Sequence, residues 1–136
     1  MGSFFKVVIV FLGIVIAAML FISPYLSNIS AVQHKSEVKI GSQTVIVDVV
    51  RSEKEREQGL SGRESIGINE GMLFLFSETG NYGFWMKGMK FSIDIIWINK
   101  DKIVGFRENV DPQIGASESE LTTYYPSEVA DKVLEL

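Results

Sequence analysis

From Val7 to Ile22 the chain carries no charge and no strongly polar side chain. Beyond Val38 the pattern changes to short runs in which apolar and polar positions alternate. The first pattern predicts a helix that enters a membrane, the second a mainly β domain. Glu37 to Gly41 and Thr44 to Val50 are β-rich and meet at Gly41-Ser42-Gln43, which predicts a hairpin. Val45, Val47 and Val49 then share one face, and Ile46, Asp48 and Val50 the other. Ser52 with Glu55 three residues on is a capping-box pattern for a short helix that Gly59 ends. Gly71 to Phe76 is apolar on both alternating faces, as expected of a strand that is central or inside a closed barrel. Glu78 to Asn81 reads as a turn into a strand over Tyr82 to Met86. Ser92 to Ile98 and Ile103 to Glu108 read as a second hairpin, Asn109 to Pro126 as a long loop, and Val129 to Leu136 as a last strand. The expected fold class is mainly β, a small barrel- or sandwich-like domain with one short helix, preceded by an N-terminal transmembrane or signal helix.

The apolar run defines the organisation. Its length falls between a signal-peptide core and a full span, and Phe4 and Phe5 extend it beyond Lys6, whose stem can snorkel. Residues 1–23 are read as a membrane anchor or signal segment, 24–36 as a linker and 37–136 as an extracytoplasmic β domain. The positive charge at Lys6 and the N-terminus keeps that end inside and sends the rest outward. The alternative is secretion after cleavage near Ala31.

Composition removes several chemistries. Lys6 is the only charged side chain before position 35, so the remainder holds twelve Lys and Arg against seventeen Asp and Glu, a formal charge of −5. A nucleic-acid partner is not expected of so acidic a domain. There is no cysteine and a single histidine, His34 in the linker, which argues against disulfides, zinc and a Ser-His-Asp triad. No metal and no cofactor are expected.

The candidate chemistry gathers between Tyr82 and Ile98, where both tryptophans lie. Asp94 shares its strand face with Ile96 and Ile98, so its carboxylate needs a partner. With Ile98 facing Ile103 across a two-residue Lys100-Asp101 turn or a four-residue Asn99 to Lys102 loop, uninterrupted pairing sets Asp94 opposite Arg107, whereas a three-residue loop sets it against Glu108. Matched charge favours Arg107. Such a bridge is structural, fixing register; the functional reading makes Asp94 the floor of a pocket rimmed by Lys87 or Lys90. Of Phe84 and Trp85 one is expected in the core and the other on an outer face or in a cleft, where it and Lys87 form a platform for a sugar ring or peptide. The bland reading of each is core packing and a solvated lysine. Arg63, beside Gly62, either clamps an anion or bridges to Glu64, Glu70 or Glu108. Candidate ligand-binding residues are therefore Arg63, Trp85, Lys87, Asp94, Arg107 and Glu108.

Gly59-Leu60-Ser61-Gly62-Arg63, Gly71-Met72-Leu73-Phe74, Phe84-Trp85-Met86-Lys87, Ile93-Asp94-Ile95 and Tyr125-Pro126 with Val133-Leu134-Glu135-Leu136 follow one another in order. Together they resemble the domain of unknown function 192 family of bacteria and archaea, over about Val38 to Leu136. The resemblance implies a small, largely β domain, often behind a signal or anchor segment, with no assigned activity. Gly88 stands where that family commonly has Asn or Asp, and Ser92 where it commonly has Pro. Members also continue beyond the Val-Leu-Glu-Leu strand, which implies an exposed edge here if that tail adds a strand. The function expected is a membrane-tethered module binding an envelope glycan or peptide. The alternatives are a carboxylate-dependent hydrolase or lyase using Asp94 and Glu108, and a purely structural partner domain.

Overall fold

The computed structural model describes residues 35–136. The expected anchor and nearly all of the linker lie outside these residues. Eight strands and one α-helix follow in order. They are β1 (Lys35–Ile40), β2 (Gln43–Val50), α1 (Glu53–Gln58), β3 (Glu70–Gly80), β4 (Phe84–Trp85), β5 (Ile93–Asn99), β6 (Lys102–Val110), β7 (Thr123–Tyr124) and β8 (Ala130–Glu135). Six strands form one sheet in the order β1-β2-β3-β8-β5-β6, while β4 and β7 pair separately. The sheet is open: β1 and β6 are its edges, so the expected barrel or sandwich gives way to one mixed sheet. Its single parallel pair is β2 with β3, joined by the crossover that contains α1.

Local chemistry explains most elements. Ser52 and Glu55 cap α1 reciprocally, and the Gly59 amide donates to the Glu55 carbonyl where the helix ends at a φ of 49°. No helix residue is buried; Leu60, 1 % exposed, ties the segment to the core. β3 runs past the expected turn to Gly80, with a break in its pairing to β8 between Leu75 and Gly80. The expected strand from Tyr82 shrinks to Phe84–Trp85. Part of the long loop is ordered by β7 and by a 3-10 turn at Glu118–Glu120.

Side chains alternate across the sheet as expected. One face carries Val50, Met72, Phe74, Ile93, Ile95, Trp97 and Val133, and α1, β4 and their connections add Leu60, Met86 and Met89. The opposite face carries Val45, Val47, Ile96 and Leu134. Trp97 is fully buried, and its indole N–H donates to the Tyr82 carbonyl at 2.7 Å, so burying it strands no polar group.

β8 sits in the middle of the sheet rather than at an edge. The row running across it is Asp48, Met72, Glu135, Ile95, Arg107. Residues in such a row point to the same face.

Candidate functional site

Asp94 does not face Arg107. Ile98 pairs with Ile103 as expected, but Trp97 pairs with Gly105, Ile95 with Arg107 and Ile93 with Val110. β6 therefore holds two extra residues, first at Val104 and then opposite Asp94. At the first, Pro126 lies so close to Gly105 that a Cβ there would stand 2.9 Å from it, and the Ser127 hydroxyl donates to the Val104 carbonyl. At the second, Asn109 takes a φ of 49°, and its N–H donates to the Asp94 carboxylate at 2.7 Å. Asp94 thus stabilises a bulge, and its backbone pairs with Leu136, the residue that follows β8. The Arg107 guanidinium turns back to the Phe106 carbonyl, and Glu108 is exposed. Asp94 lies on the face of Ile96, away from Trp85 and Lys87.

Arg63 bridges to none of the three carboxylates expected of it. Its guanidinium donates to Asp48 at 2.9 Å, and Asp48 is only 7 % exposed. The other Asp48 oxygen is buried without a partner and borders a cavity of about 70 Å³. That is room for a bridging water rather than for a ligand.

Phe84 and Trp85 divide as β-strand geometry requires. Phe84 packs edge-on against Phe74 and Trp97, at 4.8 and 6.2 Å between centroids. Trp85 stays 41 % exposed with the Lys87 ammonium 5.3 Å from its ring, and Lys87 pairs with Glu118 at 2.6 Å. Gly88 ends the segment at a φ of 66°, its carbonyl accepting from the Gly62 N–H. Gly, Asn and Asp are the residues that adopt this conformation readily, so position 88 is a turn position first, and Gly meets its demand. Ser92 uses its hydroxyl to reach Asp111 at 2.6 Å.

Trp85 opens onto a cleft of about 300 Å³ on the α1 face of the sheet. Phe76 and Tyr82 are stacked in its wall, 3.5 Å apart and 10° from parallel. Arg56 lies over Phe76 at 5.0 Å, held by the carbonyls of Arg51 and Leu75. Glu53 and Glu57 of α1 also line the cleft.

Glu135 completes the lining, and sequence reasoning missed it. It is 5 % exposed, flanked in the sheet by Met72 and Ile95, and no hydrogen bond or ion pair reaches its carboxylate among the described residues. Burial alone pushes its pKa up from 4.5 to about 8, so the group is largely neutral at pH 7. A signal existed: alternation along Val133-Leu134-Glu135 puts Glu135 on the same face as Val133. A carboxylate on the core face of a strand calls for the question asked of Asp94.

A second groove, of about 430 Å³, lies between the tips of the two hairpins on the opposite face, over Ile40, Ile96 and Ile98. Among the described residues it holds no buried, unpaired polar side chain.

Residues 35–136 match the pattern of DUF192, described as an uncharacterized ACR. The chain belongs to this family. Two solved structures resemble the DUF192 domain. One is a proposed transcription regulator from Sinorhizobium meliloti 1021, 30 % identical, with a TM-score of 0.59 over 74 % of this chain and 75 % of the other. The second is a protein of unknown function from Novosphingobium aromaticivorans DSM 12444, 25 % identical, with a TM-score of 0.62 over 75 % and 71 %. No curated protein matches the chain.

Proposed function

We propose that the chain is a membrane-tethered, extracytoplasmic DUF192 domain that binds an envelope glycan or peptide in the cleft between α1 and the sheet. One observation carries this reading: an aromatic-walled concavity that includes the exposed Trp85 is also lined by a buried carboxylate, Glu135, that no protein group satisfies among the described residues. Mostly apolar walls with one or two convergent polar groups are the usual form of a ligand site. The flat, featureless surface expected of a purely structural partner domain fits such a cleft poorly. The hydrolase reading fits Asp94 and Glu108 poorly, because the Asp94 carboxylate is bound to a backbone N–H away from the cleft.

The tether rests on the apolar run Val7–Ile22 and on Lys6 before it. Among the described residues, no helix is long and apolar enough to cross a membrane. A nucleic-acid role would need a basic surface, and the acidic balance of residues 35–136 does not favour one.

Both halves of the proposal are testable. Trp97 is buried and Trp85 is exposed at the cleft, so tryptophan emission reports its occupancy. Full-length protein titrated with a β-1,4-linked N-acetylglucosamine trimer and with short peptides should give a saturable change that Trp85→Phe removes. An unchanged emission with every probe overturns the cleft as a binding site. For the tether, washed membranes should retain the protein at its unprocessed mass; a soluble form beginning near Val32 would contradict the anchor.

A further inference from the structure

Asp48 and Glu135 occupy one row of the sheet, two strands apart with Met72 between them. Both are buried and both lie on the α1 face. The fold gives Asp48 a cation, Arg63 at 2.9 Å, and gives Glu135 none among the described residues. Arg56, the basic residue in the cleft, is held by two backbone carbonyls and the Phe76 ring. The other ionisable groups lining the cleft are Glu53, Glu57 and Tyr82, so its fixed charge leans negative. Farther along the row, Ile95 separates Glu135 from Arg107, whose guanidinium is turned to its own strand. Trp85 at the cleft opening already receives one ammonium, that of Lys87 at 5.3 Å from its ring.

We propose that the cleft recognises a protonated amine on a peptide ligand, a lysine-type side chain whose ammonium passes the aromatic wall and pairs with Glu135 as the carboxylate. The inference rests on the cleft reading above and names its ligand class. A carboxyl held neutral by burial must ionise to pair with an ammonium, so binding at pH 7 releases close to one proton from Glu135 to solvent. The ligand amine keeps its own proton, since a free lysine titrates near ~10.4. Affinity therefore increases as pH rises toward the Glu135 pKa and levels off above it.

A neutral glycan gives the opposite sign. Its oxygens would accept a hydrogen bond from the protonated carboxyl, and its affinity would fall above pH 8.

The test uses full-length protein in detergent and three probes: an acetylated, amidated tripeptide with one central lysine, the same peptide with norleucine, and the N-acetylglucosamine trimer. Titration calorimetry from pH 6 to 9, in buffers of different ionisation enthalpy, reads affinity and proton release. The lysine peptide should tighten about tenfold from pH 6 to 7 and level off above pH 8. It should bind at least about tenfold more tightly than the norleucine peptide at pH 8, and Glu135→Gln should abolish that preference. Lysine-peptide affinity independent of pH, or equal binding of the norleucine peptide, overturns amine recognition. So does trimer binding that needs Trp85 and weakens above pH 8, an outcome that leaves the cleft reading standing. If no probe binds, or if Trp85→Ala changes nothing, the cleft reading fails and amine recognition falls with it.

Discussion

Asp48 and Glu135 are two answers to one difficulty. Each is a carboxylate on the core face of the sheet, and an unpaired buried charge is too costly to keep. Asp48 retains a partner because the loop after α1 brings Arg63 over β2. Glu135 lies on β8, between β3 and β5, where its sheet neighbours are apolar, and among the described residues it has a cleft in place of a partner. A paired carboxylate is accounted for by the fold itself. An unpaired one at the bottom of an accessible concavity points to something outside the fold, and this difference singles out the cleft.

The largest effect expected is on how stability varies with pH. The unfolded chain releases the Glu135 proton near pH 4.5 and the folded chain near pH 8. Between these values the folded state holds the extra proton, so its stability declines as pH rises and becomes level above pH 8. The loss should be about 3 to 5 kcal/mol, at ~1.4 kcal/mol per pKa unit. Denaturation midpoints at pH 5 and pH 8 measure it, and Glu135→Gln should remove that component of the slope.

Next comes the pair that the fold completes. Arg63→Met leaves Asp48 buried without its cation. Fully buried pairs lose more, but Arg63 is a third exposed and screened, so about 2 kcal/mol is expected. Adding Asp48→Leu should recover much of it; a double variant as weak as the single would break the contrast with Glu135. Asp94→Ala should cost about 1 kcal/mol through the lost hydrogen bond to Asn109. Arg107→Gln should change stability by less than about 0.5 kcal/mol, because no ion pair joins the two. The smallest stability change is expected of Trp85→Phe, which keeps an exposed aromatic ring in place while removing the emission that reports the cleft.

Much of this fold was legible in the sequence, because the features concerned are local. The capping box at Ser52 and Glu55, both hairpin turns and the face assignments of Val45, Met72 and Ile96 follow from short spacings and the two-residue period of a strand. Features set by distant contacts were not legible. The bulges in β6 depend on Pro126 crossing Gly105 and on Asn109 turning left-handed beside Asp94. They carried Asp94 away from Arg107 although the turn itself was read correctly. The insertion of β8 between β3 and β5 is likewise a tertiary choice, and it joins β1-β2-β3 and β5-β6 into one open sheet. Of the candidate site, it was legible that one of Phe84 and Trp85 would lie outside the core near Lys87, but not that Trp85 would be the exposed one. Glu135 was within reach of the same alternation rule, yet the cleft that gives it meaning forms only when α1 and Tyr82 pack over the sheet.

The most direct measurement follows the Glu135 carboxyl carbon by NMR as a function of pH in the ligand-free protein, with Glu135→Gln assigning the signal. A midpoint near pH 8 is expected of a buried carboxyl without a partner. A midpoint below about pH 5 would mean that a solvated or paired carboxylate stands there, and would contradict the cleft described here.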